Sequence, residues 1–374
     1  MRARLLILFT LSTIWAYAQP ALIDDEASKK TKNLYHFLNN VSSRQILFGH
    51  QDDFSYGVSW WDERGKSDVK EVTGKYPAVI GWDFGGLGDS RNLDSVSFLT
   101  IKKGVKYAYK LGAINTVSWH MKNPLTGDDA WSKVITVREI LPGGSAHANY
   151  TSQLDLFAKT IRTFRSGLFG KIPIIFRPFH EHNGDWFWWS KEYCSEEEFI
   201  QLWRFTVDYL KNEKKLHNLI YAYSPDKSRF DIQELEKSYL YGYPGDEYVD
   251  VIGLDNYWDV GNKYNRNTDE EKKKQLTESI LLISKIAKEK NKVAALTETG
   301  NPGLKQSNWC TEILLNPLKN AGEESSIAWM LLWRNADKGY FYVPYKGHDQ
   351  EEDFKSFEQD DATLFLEDIV NPYK

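Results

Sequence analysis

Short apolar runs recur along this chain, and each gives way at once to polar or aromatic residues. Ile46-Leu47-Phe48 runs into Gly49-His50-Gln51, Ala78-Val79-Ile80 into Gly81-Trp82-Asp83, and Ile114-Asn115-Thr116-Val117 into Ser118-Trp119-His120. Ile172 to Phe176 precedes Arg177, Leu219 to Ala222 precedes Tyr223-Ser224-Pro225, and Val249 to Leu254 precedes Asp255-Asn256-Tyr257-Trp258. Val293 to Leu296 leads to Thr297-Glu298-Thr299-Gly300, and Ile327 to Leu332 to Trp333-Arg334-Asn335. Short apolar runs of this kind, many of them rich in β-branched residues, are the pattern of strands buried on both faces. Helical periodicity separates several of them. Ala27 to Asn40 places Leu34, Phe37 and Leu38 on one face. Ser195 to Leu210 opens with a capping-box pair, Ser195 and Glu198, and aligns Phe199, Leu202, Trp203, Val207 and Leu210. Glu271 to Glu289 repeats the stripe with Leu276, Ile280, Ile283 and Ala287.

Eight such strands, with functional-looking residues only at their carboxyl ends, predict an α/β chain folded as a single-domain (β/α)8 TIM barrel. A doubly wound open sheet is the alternative. It calls for a Gly-rich phosphate-binding first turn, and Gly49-His50-Gln51-Asp52 is not one. With 374 residues the chain could form two domains, but α/β barrels routinely use this length as one. No linker or repeat beyond the βα period interrupts it. From Arg334 onward a long loop carries Tyr340, Tyr342 and Tyr345, and an acidic stretch, Asp349 to Asp353, leads to a last helix expected to close the barrel.

The amino terminus reads differently. Arg2 and Arg4 precede an apolar run from Leu5 to Trp15, and Ala16-Tyr17-Ala18 is a small-x-small cleavage site. Residues 1–18 are therefore expected to be a secretory signal peptide, too short to span a membrane, and 19–374 the catalytic barrel. No Cys near the cleavage point could carry a lipid, so the mature chain is expected to be periplasmic or secreted. Removing the two arginines takes the net charge from −5 to −7. That balance argues against nucleic acid and anionic membranes and suits a neutral polymer. Cys194 and Cys310 lie near the starts of different helices, and free thiols are expected.

The stretch after the fourth run concentrates chemistry. Arg177, His180, Glu181, His182, Asn183 and Asp185 fall within nine positions, followed by Trp186, Phe187, Trp188 and Trp189. A carboxylate beside cations and an aromatic wall suits sugar cleavage: the carboxyl moves protons while indoles stack on apolar pyranose faces. Glycosidic hydrolysis needs a second carboxylate, and Glu298 supplies one. Ends of the fourth and seventh strands face each other across a barrel mouth, so Glu181 and Glu298 can share one substrate. The bland alternative for Glu298 is a rim carboxylate in a structural ion pair. Zinc bound by His180, His182 and His120 is a further alternative. The strand pleat would leave Glu181 on the side opposite both histidines, and no third ligand falls in register, so no metal is expected.

These residues carry a resemblance. Arg177-Pro178-Phe179-His180-Glu181, Trp186 five positions past the Glu, Asp255-Asn256-Tyr257, Thr297-Glu298 and Trp333-Arg334 together resemble glycoside hydrolase family 26, over nearly the whole mature chain. The resemblance implies a retaining β-mannanase on a (β/α)8 barrel, with Glu181 as acid/base and Glu298 as nucleophile. It implies that His180 hydrogen-bonds near the nucleophile and that Tyr257 touches it. Trp333 floors the sugar next to the cleavage point, Trp186 and His120 line the cleavage region, and Arg334 matches a cationic position. Arg177 orients the carboxylates from beneath, with Asp255 in support. No cofactor is implied, and the partners are mannan polysaccharide and manno-oligosaccharides acted on by a monomer. The expected activity is cleavage of internal β-1,4-mannosidic bonds. The alternatives are mannobiose-releasing exo action, action on β-1,3-xylan or mixed-linkage β-glucan, or a glycan-binding barrel without turnover. The loops at Trp131 to Gly144 and Asp259 to Thr268 are expected to shape distal subsites.

Overall fold

The computed structural model describes residues 21–42, 45–167 and 170–374; the leader read at residues 1–18 lies outside them. Eight parallel strands form the barrel: β1 Ile46–Gln51, β2 Val79–Asp83, β3 Ile114–Ser118, β4 Ile174–Arg177, β5 Leu219–Tyr223, β6 Val251–Asn256, β7 Val293–Thr299 and β8 Ile327–Leu332. Each pairs with the next, and β8 closes on β1 through Leu47 opposite Trp329 and His50 opposite Leu332. All eight runs picked out by hydropathy are strands. The polar and aromatic residues that follow the apolar runs prolong β1, β2 and β7, because Gly49, Trp82 and Glu298 still pair with neighbours.

Alternation along the strands sorts two cores. Leu47, Val79, Ile114, Ile175, Ile220, Val251, Val293 and Trp329 pack together inside the barrel. Phe48, Ile80, Val117, Ile174, Phe176 and Ile252 pack outward against the helices. The first helix, Lys29–Val41, is capped by Ser28 and sends Leu34, Tyr35 and Leu38 into the inner core, so it plugs the amino-terminal end. Helix Glu196–Asp208 carries the expected Ser195–Glu198 capping box, and Asp269–Lys290 begins two residues before the Glu271 start its periodicity predicts, on a Thr268–Glu271 box. The last helix, Glu351–Glu358, seats Phe354 and Phe357 against Phe48 of β1. Both cysteines are buried and free. Among the described residues no helix is long and apolar enough to cross a membrane.

Parity carries the inner face upward. Two residues beyond Ile175 is Arg177, two beyond Gly253 is Asp255, and two beyond Ala222 is Ser224, so all three point along the axis at the carboxyl mouth. A Cβ on Gly253 would come within 2.7 Å of Thr297 and 2.8 Å of the Tyr223 carbonyl, so only glycine leaves that space beneath the site. In β7 the register slips: Leu254 faces Leu296, but Asp255 faces Glu298. This irregularity turns Glu298, which strict alternation would send outward, level with Asp255.

Candidate active site

At the mouth, Arg177 is the central cation. Its Nη1 donates to both oxygens of Asp255, at 2.8 and 3.0 Å, and to Ser224 Oγ at 2.9 Å; its Nη2 pairs with Glu298. Glu298 is 3% exposed, and its other oxygen accepts from the Tyr257 hydroxyl at 2.9 Å. Asp255 also accepts from Thr297 Oγ1 at 2.7 Å, across the β6–β7 irregularity. Burial and the Glu298 charge outweigh Arg177 there, and the Asp255 carboxyl is raised to about 8.

Glu181 does not end a strand. β4 stops at Arg177, and the chain then turns, with Phe179 at φ 50° and Glu181 at φ 54°. The pleat argument about His180, Glu181 and His182 therefore does not apply to this segment. The turn is held by Glu181 N donating to the Ser224 carbonyl at 2.8 Å and by a two-way clamp between Asn183 and the backbone of Asp226, both bonds 2.7 Å. Trp186 Nε1 donates to Glu181 Oε2 at 2.7 Å. The Glu181 carboxyl sits well above the usual carboxylate range, first through burial and then through the charges of Asp226, Asp255 and Glu298. One oxygen each of Glu181, Asp255 and Glu298 lie within 4.8 Å of one another.

The histidines divide. His180 Nε2 faces His120 Nε2 at 3.2 Å, and His120 Nδ1 donates to Asp83 Oδ2 at 2.7 Å. Burial alone would lower His120, but the charge and hydrogen bond of Asp83, with Glu298 and Asp94 beyond, raise it on balance. Burial and then the positive His120 and Arg177 drive His180 well below the ordinary imidazole range. His120 is thus the donor of the pair and His180 the neutral acceptor. His180 engages His120, while the hydrogen bonds on Glu298 itself come from Arg177 and Tyr257. His182 turns away, with Nε2 on the Tyr241 carbonyl at 2.7 Å, so it does not converge with the other two. The Glu181, Asp255 and Glu298 oxygens are close enough to converge on an ion, but the Arg177 guanidinium is already the countercharge of two of them.

Farther out, Arg334 pairs with Asp94 at 2.8 Å and lies over the rings of Tyr340 and Tyr56. Trp333 is half-buried at the end of β8, its N–H donating to the Thr299 carbonyl. Trp131, 44% exposed, stacks on His120 at 5.3 Å, which brings the loop expected to shape the cleft against the centre. Asp83, Asp94 and Asp226 were not singled out from sequence. Asp83 stood at the end of a predicted strand, which was its signal; Asp226 follows Pro225 outside any pattern.

The family model described as glycosyl hydrolase family 26 matches residues 23–301. The chain is 33% identical to a mannan endo-1,4-β-mannosidase of Bifidobacterium adolescentis, over 96% of this chain and 38% of that relative. It is 29% identical to mannan endo-1,4-β-mannosidase A and B of Caldalkalibacillus mannanilyticus, over 66% and 49%. It therefore spans about two-fifths to half the length of these relatives. Among solved structures, a β-mannanase from Bacteroides ovatus superimposes with a TM-score of 0.84 at 35% identity, covering 93% of this chain and 98% of that one. A modular endo-β-1,4-mannanase from Cellulomonas fimi gives 0.85 at 35%, covering 94% and 79%.

Proposed function

The chain belongs to glycosyl hydrolase family 26, and from that premise we propose that it is an exported, monomeric, retaining β-mannanase cleaving internal β-1,4-mannosidic bonds. The carrying observation is the approach of Glu181 and Glu298, with an oxygen of each inside 4.8 Å. Retaining glycosidases hold their two carboxyl groups about 5–5.5 Å apart, and inverting ones about 6.5–9.5 Å, which leaves room for a water. The shorter class supports double displacement.

Glu298 is presented as an anion, one oxygen on Arg177 and the other on Tyr257. It attacks the anomeric carbon as the bond to the leaving sugar breaks. Glu181, kept protonated by burial and three surrounding acids, gives its proton to the departing oxygen. Trp186 fixes one Glu181 oxygen and leaves the other for that transfer. In the second step Glu181, now ionised, takes a proton from water, whose oxygen enters on the face the leaving sugar vacated and displaces Glu298 from the opposite face, so the anomeric configuration is kept. Trp333 and Trp186 offer indole surface to the sugars flanking the bond. The reaction calls for no cofactor.

The test is a product profile over time on linear mannan, galactomannan, mixed-linkage glucan and β-1,3-xylan, with the first-formed anomer read by NMR. An early ladder of manno-oligosaccharides in the β configuration is the expected outcome. Mannobiose alone from the start would make the enzyme exo-acting, and products only from glucan or xylan would overturn the substrate. Tight glycan binding without any product would make it a binding protein.

A further inference from the structure

The outer flank between the loop after β1 and helix Phe98–Leu111 holds an open cavity of about 530 Å³ that shares no residue with the reaction centre. That size lies within the range of small-molecule sites, about 300–1,000 Å³. Its floor is aromatic. Phe54 meets Tyr107 edge-on at 5.3 Å, and Tyr76 backs Phe54 at 5.2 Å. The loop wall is fixed in advance: the Tyr76 hydroxyl donates to the Gly65 carbonyl at 2.7 Å, and the Asp62 amide to the Ser55 carbonyl at 2.8 Å. Gly65 takes φ 78°, and a Cβ there would meet the Tyr107 hydroxyl at 3.3 Å.

The lining is basic in an acidic chain. Arg64, Lys103, Lys106 and Lys110 line the cavity with Asp62 as the one acid, while the whole protein carries a net charge of −5. Spacings of three and four residues put the lysines on one side of the helix, rising about 4.5 and 6 Å along its axis. Among the described residues none of these four cations has an ion-pair partner; Arg64 lies over the Tyr107 ring at 5.7 Å. The longest helix handles its lysines differently. On Asp269–Lys290, Lys272 pairs with Asp269, Lys273 with Glu270 and Lys274 with Glu278. Phe98–Leu111 has four lysines and no acid, so like charges repel across its turns and disfavour the helix. An anion from outside would relieve that repulsion.

We propose that this flank cavity is a second binding site, for an acidic sugar chain of the uronate type. A uronate polymer bears one carboxylate per ring, at intervals of the order of the lysine rise, and these take charge-assisted hydrogen bonds from the lysines and Arg64. The apolar face of a pyranose lies against the Phe54–Tyr107 floor. A small hydrated anion would use the charges and leave that floor bare. Bound on the flank, the acidic polymer leaves the mouth free for a neutral chain.

The test is calorimetry of the purified protein with hexagalacturonate in low-salt buffer. Inorganic phosphate, a sulfated hexasaccharide and anionic phospholipid vesicles are titrated separately. The variants are the triple Lys103→Gln, Lys106→Gln, Lys110→Gln and, on the opposite wall, Arg64→Gln. Wild type binds hexagalacturonate; the triple variant weakens it roughly tenfold and Arg64→Gln several-fold. Added salt weakens wild type in the same way, and the rate on mannan is unchanged in both variants. No binding by wild type, or equal binding by the triple variant, would overturn the site. Phosphate held as tightly as hexagalacturonate would reduce it to a bare anion site. Tighter binding of the sulfated sugar or of vesicles, lost in the triple variant, would replace the uronate. Should the triple variant not fold, Arg64→Gln decides alone, and unchanged binding there would overturn the proposal.

Discussion

Both ends of the barrel bury carboxylates, and they treat them in opposite ways. At the amino end, Asp250 is inaccessible to solvent, and each oxygen accepts one backbone amide, Ile23 N and Tyr221 N, both at 2.8 Å. Its own carbonyl accepts the Tyr35 hydroxyl at 2.9 Å from the plugging helix. Burial raises the carboxyl to about 6, with the two amides and Lys292 pulling the other way. At the carboxyl end, Glu181, Asp226, Asp255 and Glu298 crowd together, and Arg177 pairs directly with only two of them. One end satisfies its polar groups and fastens a segment. The other keeps like charges close, an arrangement that disfavours folding but separates the proton affinities of its acids. The contrast marks stability at one pole and chemistry at the other.

The largest expected effect breaks the mouth without touching the base. Glu298→Ala should lower kcat on mannan on the order of 10⁴-fold or more, as removal of a nucleophile does. Because it also removes one of the crowded charges, the melting temperature should not fall; a retained rate would remove Glu298 from its role. Next comes Glu181→Ala. The loss on mannan should be on the order of 10²- to 10⁴-fold, and much smaller on aryl mannosides with good leaving groups, which need no proton. Equal losses on both substrate types would count against Glu181 as the acid.

The reciprocal experiment is made at the base. Asp250→Ala orphans two buried amides, each worth about 1–3 kcal/mol, and should destabilise the fold by about 2–5 kcal/mol. The kcat per folded molecule should hold steady, measured well below the new melting point. A mutant as stable as wild type would show that water or a backbone shift replaces both bonds, and the contrast between the poles would lose its lower half.

What was legible in the chain follows the same division. All eight strands were readable because a strand buried on both faces must be apolar and short, and the polar residue that ends it marks the mouth. Glu181, Glu298, Tyr257, Arg177 and Asp255 were named, and the structure brings them together. The local geometry of two was not readable. Glu181 sits in a left-handed turn set by contacts with Ser224, and Glu298 reaches the mouth through a register slip between β6 and β7. Both depend on a neighbouring strand, which no local pattern encodes. The same holds for Asp83, whose meaning is its bond to His120.

The smallest effect is also the most specific to the crowded pole. Asp226 heads the charges that raise Glu181, ahead of Asp255 and Glu298. Its own carboxyl, pushed up to about 6 by burial despite hydrogen bonds from Ser228 and the nearby Arg229 and Lys227, is ionised only above that pH. Asp226→Asn keeps the backbone clamp to Asn183 and deletes the charge. With that repulsion gone, the Glu181 carboxylate is easier to form, so Glu181 loses its proton at a lower pH. The alkaline limb of kcat/KM should therefore move toward acid, and rates below about pH 6, where Asp226 is already neutral, should change little. A purely structural role for Asp226 would lower the whole profile without moving the limb. A limb shifted toward alkali would mean that the side chain's main effect on Glu181 is not its charge, and the account of the mouth as a set of mutually repelling acids would have to be rebuilt around Arg177 alone.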